Sequence, residues 1–383
     1  MTFTSAGGVG LLLGVRWLVG WWVGGRFPLL SDAVRDGALR AGPPGGTPGP
    51  SVSVIIPARN EATTLPSLLA SLQQQSGRPH QVIVVDDQST DGTAAVAASA
   101  GAVVVSPDQP PVGWLGKPWA CAHGAAFASG DVLVFLDADT TLGVDALAQL
   151  VPVVVASGGL VSAAPYHATE RAYERLSALF NLVAVMGTGA ATVTRGGRIT
   201  GAFGPCLSLS RASYDLIGGH GAVRDEVLDD VALAERCAAL GVPVQCFAGG
   251  AVVQFRMYPE GLGQLVEGWS KNFAAGAGRT QPLRLAAIVA WMSGLIEAGW
   301  WAVAGAAQAA SGAVPMPVIY GIFYVAFAVQ LWLLLRRLGN FAASAAVHPL
   351  LTLAFVAICL RSLLLLWRGQ VTWKGRTISV TPR

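Results

Sequence analysis

DVLVFLDAD, residues 131–139, places five consecutive apolar residues ahead of two aspartates. A short apolar run that ends in acidic residues is typical of a buried strand in a parallel sheet. Two similar runs, SVSVIIPA at 51–58 and QVIVVDD at 81–87, alternate with helical stretches near 63–75 and 91–100. This alternation predicts an open, mostly parallel, Rossmann-like α/β sheet. Ligands of such sheets bind at the carboxyl ends of the strands.

The composition of the chain indicates a membrane protein. Of its 383 residues, 53% are hydrophobic and 12% are charged, whereas soluble domains contain about 25% charged residues. The formal net charge is only +3, and no basic run contains interleaved aromatic residues, which argues against a nucleic-acid partner. The five cysteines form no CxxC pair and no zinc-ligand spacing, so a reducing compartment fits best.

Apolar segments near both ends predict several membrane crossings. Residues 6–25 are apolar apart from Arg16, and no signal-peptide cleavage site follows, so we expect an N-terminal anchor over residues 1–27. We expect a Pro/Gly-rich linker at 28–50 and, in the C-terminal part, membrane helices within 281–368. The three predicted C-terminal spans are 285–307, 314–335 and 344–367.

The arginines around these spans indicate a topology. Arg336 and Arg337 follow the second span, and further arginines flank the first, so the positive-inside rule places the catalytic domain on the cytoplasmic face of the cell membrane. A full third crossing would put the basic tail, residues 369–383, on the outside. A re-entrant segment with a break at His348 and Pro349 would keep the tail inside, and we favour this arrangement.

The two aspartates of FLDAD form the first candidate site. Asp137 and Asp139 follow the strand at i and i+2, where their carboxylates can converge on a hard cation, Mg2+ or Mn2+, that holds a diphosphate. The alternative is a turn or a helix cap, roles that strand-end aspartates often have.

VVDDQSTDGT, residues 84–93, is the second candidate. Asp86 and Asp87 are adjacent carboxylates that repel each other unless one faces a donor, such as the N–H edge of a nucleobase. The alternative is local: Ser89, Thr90 or Asp91 caps the helix that follows.

Two further motifs lie before and after the apolar residues 176–193. In GWLGKPWACAHG, residues 113–124, Lys117 is placed to meet a diphosphate, or it is a solvated surface lysine. In EVLDDVALAERC, residues 226–237, Asp229 and Asp230 begin an amphipathic helix. A carboxylate there can act as a general base, or it can simply stabilise the helix dipole.

Two apolar segments adjoin these motifs. Residues 176–193 are strongly apolar, but a membrane crossing there would separate FLDAD from Asp229 and Asp230. We therefore expect a buried or interface-dipping helix. Residues 255–280 predict an amphipathic helix that lies in the membrane interface or packs on the α/β domain. In the interfacial arrangement the residues that reach an acceptor over the active site are Glu267, Trp269 and Lys271.

Taken in order over residues 51–280, IIPARNE, VVDDQSTDGT, the lysine segment, FLDAD and the LDD helix resemble the family 2 glycosyltransferases. The lysine segment, FRMYPEGLGQLVEGWSKN and the terminal VTWKGR are most similar to the membrane glycosyltransferases of carotenoid pathways. The resemblance implies a GT-A catalytic domain at 51–254 and an inverting hexose transfer. The implied donor is a nucleotide-diphosphate sugar, with a UDP-sugar favoured, and the implied acceptor is a lipid or a carotenoid.

The resemblance also implies roles for individual residues. Asp230 would be the base, with Asp229 beside it, and Asp137 and Asp139 would bind the metal. Donor-binding residues would be Pro57, Ala58, Asn60, Glu61, Asp86, Asp87, Lys117 and Asp137.

Two departures from the family pattern matter. The usual Glu-Asp pair is Asp229-Asp230 here, which leaves the choice of base between them open. The Gln-x-x-Arg-Trp motif of processive relatives is missing, because Gln264 is followed by Glu267, Gly268 and Trp269. A processive polysaccharide synthase and an inactive membrane scaffold on the same fold are the alternatives to lipid glycosylation.

Overall fold

A computed structural model divides the chain into two compact units. The described residues are 3–34, 49–194, 199–276, 279–310, 317–367, 370–373 and 376–379. The helical unit comprises Met1–Phe27, Thr169–Gly197 and Met257–Arg383, and the α/β unit comprises Pro28–Ala168 and Arg198–Arg256. Most of the predicted linker and the tail residues Arg368, Lys374 and Arg383 lie outside the described residues.

The helices and strands follow one another through both units. The helices are α1 (Phe3–Gly24), α2 (Leu30–Ala33), α3 (Leu65–Gln73), α4 (Thr93–Ser99), α5 (Gly116–Phe127), α6 (Ala146–Ser157), α7 (Ala178–Thr188), α8 (Arg211–Leu216), α9 (Asp229–Ala239), α10 (Leu262–Gly276), α11 (Pro282–Ala310), α12 (Pro317–Leu335) and α13 (His348–Trp367). The strands are β1 (Val52–Ala58), β2 (Gln81–Asp86), β3 (Val103–Val105), β4 (Val132–Leu136), β5 (Thr140–Leu142), β6 (Leu160–Ala164), β7 (Tyr166–His167), β8 (Cys206–Ser210), β9 (Val244–Ala248), β10 (Val253–Phe255), β11 (Gln370–Trp373) and β12 (Arg376–Ser379).

The α/β unit is built on a seven-stranded sheet in the order β3-β2-β1-β4-β8-β6-β9. Only β8 runs antiparallel to its neighbours, which confirms the predicted mostly parallel sheet. The apolar strand residues are buried on both faces, under α3, α4 and α6 on one side and α5, α8 and α9 on the other. A smaller sheet, β5-β10-β7, completes the unit.

Strand order brings three strand ends together, and acidic residues lie at two of them. Strand β1 pairs with β2 on one side and β4 on the other, all parallel, so Ala58, Asp86 and Leu136 end neighbouring strands at one edge. The chain moves outward from β1 in opposite directions on its two sides. This is the topological switch point at which open α/β sheets bind ligands.

In the helical unit, α1 lies along α12 over its length. Trp17 Nε1 donates to Ala326 O at 3.1 Å, and Gln330 Nε2 donates to Trp17 O at 2.8 Å. Near its beginning α1 packs beside Ile319, and near its end it packs beside Leu334, so the two helices run parallel. Arg16 forms an ion pair with Glu297 of α11. Paired charges of this kind are the usual form in which ionisable groups occur inside a membrane helix bundle.

Three helical segments among the described residues are long and apolar enough to cross a membrane: 282–307, 318–335 and 342–365. They match the predicted C-terminal spans. Because α1 lies along α12, α1 is expected to share its membrane environment, as the predicted anchor requires. Its apolar part, Gly8–Gly24, is shorter than those three.

The third apolar segment turns back within the helical unit. After α12, the 3-10 helix Ala342–Val347 packs against α12, and the His348 ring stacks on Tyr324 in the middle of that helix. From there α13 runs to α10, where Ser362 Oγ donates to Ser270 O at 2.7 Å. Since α10 leads directly into the first turn of α11, α13 ends near the level at which α11 begins.

Residues 169–197 depart from the predicted domain boundaries. They were expected inside the catalytic domain at 51–254, yet they pack within the helical unit. Helix α7 is 11 residues long, too short to span a bilayer, and Arg284 Nη1 donates to Gly187 O at its end. The expectation of a buried helix rather than a crossing agrees with this placement.

The turn in α13 generates a prediction about the basic tail. Cysteines introduced singly at Asn340 and Thr377 should react with a membrane-impermeant maleimide from the same side of sealed vesicles, because the segment between them enters and returns. The parent protein without either cysteine is the control. Labelling of the two positions from opposite sides would establish a full crossing.

Candidate active site

Hydrogen bonds between two loops shape one side of the strand edge. The backbone N–H of Asn60, after β1, donates to Ser89 Oγ at 2.9 Å, and Asn60 Oδ1 accepts from Thr90 N at 2.8 Å. Asn60 and Gln88 both have left-handed backbones, with φ of 54° and 58°. Residues other than glycine rarely hold this conformation unless the surroundings enforce it.

Ser89 and Thr90 therefore join the two loops rather than cap α4. The N-cap position of α4 is Gly92, and Asp91 Oδ1 accepts from Thr93 N at 3.1 Å. Of the three residues that could cap α4, only Asp91 bonds to a backbone N–H of that helix. This capping does not account for the two adjacent carboxylates of Asp86 and Asp87.

Asp86 and Asp87 are both buried where β2 ends. Asp86 Oδ1 accepts from Ser89 N at 3.1 Å, and Asp87 Oδ2 lies 3.5 Å from Arg59 Nη1. Asp87 is 6% exposed, and its Oδ1 has no hydrogen-bond partner among the described residues. An unsatisfied buried acceptor destabilises a fold by about 1–3 kcal/mol, so a ligand N–H donor here would be strongly favoured.

Lys117, in the first turn of α5, connects the acidic groups. Its Nζ donates to Asp137 Oδ1 at 2.6 Å, and its side chain is 37% exposed. Burial opposes the charged form, yet Asp137 and Asp229 outweigh it and raise the pKa of Lys117 well above its ordinary value. The alternative of a solvated surface lysine is therefore wrong.

Asp137 and Asp139 follow β4 in a tight turn, in which Thr140 N–H bonds to Asp137 O. Burial raises the pKa of Asp139 to about 7, with Asp137 and Glu61 adding like-charge repulsion. Crowded carboxylates of this kind are stabilised by a divalent cation, and oxygen donors suit Mg2+ or Mn2+. The donor set therefore fits the implied metal.

Asp229 and Asp230 begin α9 and have different surroundings. Asp230 Oδ2 accepts from Gly204 N at 2.8 Å, and its Oδ1 accepts from Val231 N at 2.9 Å, so its carboxylate is fixed while staying partly exposed. Asp229 is only 5% exposed. Burial raises the pKa of Asp229 to about 6, although the Lys117 ammonium opposes this shift.

Gly204 is a site residue that the sequence reasoning missed. A Cβ on Gly204 would lie 3.1 Å from Asp230 Oδ2 and 3.2 Å from Lys117 Nζ. The residue thus occupies the narrow space between base candidate and lysine, where a side chain would displace one of them. The only signal in the sequence is its position in GAFGPC, just ahead of β8.

Pro57 and Ala58, the other predicted donor-binding residues, end β1 next to this site. Glu61 N–H donates to Thr93 Oγ1 at 2.9 Å, which ties the β1 loop to the start of α4. The structure thus brings the predicted donor-binding residues to one edge of the sheet. Their contacts with a donor stay predictions.

The three predicted acceptor residues lie on α10 of the helical unit. Trp269 is 4% exposed, stacks on Phe180 with 5.0 Å between ring centroids, and donates through Nε1 to Ser177 Oγ at 3.0 Å. Its side chain therefore stabilises the packing of α10 on α7. Contact of Glu267, Trp269 or Lys271 with an acceptor stays a prediction.

Comparisons with known proteins agree with this geometry. Residues 53–218 match the family described as "Glycosyl transferase family 2". The chain is 38% identical to the 4,4'-diaponeurosporenoate glycosyltransferase of Staphylococcus aureus strain MRSA252 and 37% identical to that of strain USA300. Each alignment of 342 residues covers 86% of this chain and 89% of the relative.

A solved structure supports the fold. The mannosyltransferase of Pyrobaculum calidifontis, in complex with GDP-Man and Mn2+, superposes with a TM-score of 0.52 at 19% identity. The match covers 93% of this chain and 99% of the mannosyltransferase. Together with the family match, it confirms the predicted GT-A fold.

The position of Gly204 generates a prediction. Gly204→Val should weaken the binding of a nucleoside diphosphate with Mn2+ at least about tenfold, because the added methyl groups push Lys117 or Asp230 out of place. Calorimetric titration of the purified protein measures this. Gly77→Ala is the control, since a Cβ there meets no atom closer than 4.0 Å. Unchanged affinity in Gly204→Val would remove Lys117 from the diphosphate site.

Proposed function

Since the chain belongs to glycosyl transferase family 2, we propose that this glycosyltransferase moves a hexose from a nucleotide-diphosphate sugar to a carotenoid acid or a similar lipid. The observation that carries the proposal is the convergence of Lys117, Asp137 and Asp230 around Gly204 at the switch point of the sheet. Carboxylates and a lysine in one cleft supply both metal ligation and proton removal.

The donor's nucleotide would bind in the pocket formed by the loops after β1 and β2. Asp87 Oδ1 is buried with no hydrogen-bond partner in the described part of the chain and would accept a nucleobase N–H, while Asn60 and Gln88 hold the loops in place. A uracil N3–H is such a donor, which supports a UDP-sugar. The left-handed backbone at both residues indicates a site whose shape is set before the ligand binds.

Asp137 and Asp139 would hold the divalent metal, Mg2+ or Mn2+. When bound, the metal would neutralise charge that builds on the leaving diphosphate. Lys117 forms an ion pair with Asp137 and adds a second positive charge on the same side of the cleft. The lysine thus orients the diphosphate as a point charge.

Asp230 is the better candidate for the general base. Two backbone N–H groups hold its carboxylate, and the group is partly exposed, whereas Asp229 Oδ2 is fully buried. Asp230 would take the proton of the acceptor O–H as that oxygen bonds to the anomeric carbon. The bond from the anomeric carbon to the diphosphate breaks on the opposite face, so the configuration inverts.

The acceptor class follows from the relatives and from the helical unit. The relatives named 4,4'-diaponeurosporenoate glycosyltransferase align with 86% of this chain. A long apolar acid partitions into a bilayer, and a transferase for it benefits from membrane helices of its own. A carotenoid acid therefore fits both observations.

We infer a multi-pass protein of the cell membrane whose catalytic domain is cytoplasmic. Helix α1 runs antiparallel to α11 and parallel to α12, so the start of α11 and the end of α12 lie at the same end of the helical unit. Four arginines are found there: Arg279, Arg284, Arg336 and Arg337. The positive-inside rule assigns that end to the cytoplasm. The proposed domains are an anchor at 1–27, a linker within 28–50, a catalytic domain, an interfacial region at 255–280, helices at 281–368 and a tail at 369–383. Residues 28–34 of the predicted linker belong to the α/β unit, because Leu30 of α2 is buried in its core.

The alternative of a processive polysaccharide synthase has less support. Translocation of a polymer needs a channel formed by several full crossings, and α13 turns back towards α10. The inactive scaffold is contradicted by family membership with glycosyltransferases over most of the chain. A scaffold would also have no need for the Lys117 to Asp137 ion pair in an acidic cleft.

Two substitutions test the assignment of residues. Asp139→Asn and Asp230→Asn should each lower transfer of labelled sugar into lipid at least about a hundredfold, since one loses a metal ligand and the other the base. The melting temperature should stay near that of wild type, because neither carboxylate is needed for packing. The control is Asp145→Asn, because Asp145 is an acidic residue that follows β5 and lies outside the cleft. Wild-type activity in either variant would remove that residue from the mechanism.

Metal removal is a separate test. Incubation with EDTA should abolish transfer, and an excess of Mn2+ or Mg2+ should restore it, because the Asp137 and Asp139 carboxylates would hold the diphosphate only through a cation. Activity is measured before and after chelation on one preparation. Full activity in EDTA, with no metal found by elemental analysis, would contradict the proposed metal site.

A further inference from the structure

A buried polar cluster surrounds Asp229. It consists of Tyr214, His220 and Asp229, with Cys121 of α5 beside them. His220 is 0% exposed and sits in the 3-10 helix Gly219–Val223, and its ring contacts Phe135 of β4 with 4.7 Å between centroids. A histidine in so apolar a position needs partners for both ring nitrogens.

Tyr214 fixes the tautomer of this histidine. The Tyr214 hydroxyl accepts from His220 N at 3.1 Å and lies 3.0 Å from His220 Nδ1. Its own proton needs an acceptor, and Nδ1 is the acceptor within reach. Burial raises the pKa of Tyr214, so the phenol stays protonated. The hydroxyl therefore donates to Nδ1, and the ring proton of neutral His220 resides on Nε2.

The Nε2–H of His220 faces the carboxylate of Asp229. The two atoms, Nε2 and Asp229 Oδ2, are 3.8 Å apart, and each is buried without a hydrogen-bond partner among the described residues. A donor and an acceptor that both lack partners, at this separation, form a hydrogen bond after a small rotation of the ring or carboxylate. Burial, reinforced by Lys117, lowers the pKa of His220 to about 3, which keeps the ring neutral.

We propose that His220, held by Tyr214, is a positioning residue that donates to Asp229 and keeps this carboxylate directed at Lys117. The inference rests on the proposed function, in which Lys117 orients the diphosphate. Four interactions then lead from the core to the cleft. Tyr214 is hydrogen-bonded to His220, and His220 Nε2 lies 3.8 Å from Asp229 Oδ2. Asp229 acts on Lys117 through its charge, and Lys117 is bonded to Asp137. Asp229 thereby acquires a role distinct from that of Asp230.

A bound cation is the competing explanation for the same atoms. Cys121 Sγ, His220 Nε2 and a carboxylate oxygen of Asp229 all lie within 4.8 Å of one another. A metal would need a lone pair on Nε2, which would leave the Tyr214 proton without an acceptor. It would also lie beside the positively charged Lys117. The hydrogen-bonded arrangement satisfies every buried group without these costs.

Substitutions at His220 test the proposal by their pattern. His220→Leu should lower kcat and raise the KM for the sugar donor, so that kcat/KM falls about tenfold to a hundredfold, since Asp229 loses its hydrogen-bond donor and Lys117 is held less well. His220→Gln should recover most of kcat, because its amide can donate to Asp229 and accept from Tyr214. Tyr214→Phe should give a smaller loss. His123→Leu, a half-buried histidine on α5 that stacks on Trp119, is the control.

A double-mutant cycle separates positioning from general destabilisation. In an Asp229→Asn background His220→Leu should cause no further loss of kcat, because the acceptor it serves is already altered. Equal losses in the Leu and Gln variants, additive losses in the cycle, or stoichiometric zinc in the purified protein would each overturn the proposal. If Asp229→Asn itself keeps wild-type kcat, the positioning role fails, whereas the proposed function is tested separately by Asp230→Asn.

Discussion

The ion pair between Lys117 and Asp137 is the interaction on which the rest of the site depends. A lysine in the first turn of α5 is held against an aspartate that follows β4, and both are only partly accessible. Without the lysine, Asp137, Asp139, Asp229 and Asp230 would repel one another at one sheet edge. With it, the acidic groups can stay together in the absence of ligand, ready for a cation and a diphosphate.

Much of this architecture could be predicted from the sequence because its signals are local. Apolar runs ending in aspartates define β2 and β4, and parallel pairing with β1 brings those ends together. Gly204 escaped prediction because its importance comes from Lys117, which is distant in the sequence. His220 escaped prediction because no local pattern indicates that it is buried beside Tyr214 and Asp229. The antiparallel direction of β8 was not predicted either, because its five residues resemble any other short buried strand.

The helical unit shows the same limit of sequence reasoning. Hydropathy located α11, α12 and α13, and the basic tail favoured a re-entrant third segment with a break at His348 and Pro349. Hydropathy could not supply the contacts that turn the segment back, those of His348 with Tyr324 and of Ser362 with Ser270. It also assigned residues 169–197 to the catalytic domain, whereas α7 packs among the apolar helices. Polar contacts, such as that of Gln330 with Trp17, join these helices. Such contacts specify which helices pair, because apolar packing alone does so only weakly inside a membrane.

The reaction proposed for this protein moves one hexose from a nucleotide sugar to an apolar acid. Its most direct test incubates the detergent-solubilised wild-type protein with Mn2+, a panel of nucleotide sugars and a long-chain polyene carboxylic acid, and identifies the product by mass spectrometry. We expect an organic-soluble ester whose mass exceeds that of the acid by one hexosyl unit, with one donor strongly preferred. A water-insoluble polymer, or no product with any donor, would rule this reaction out.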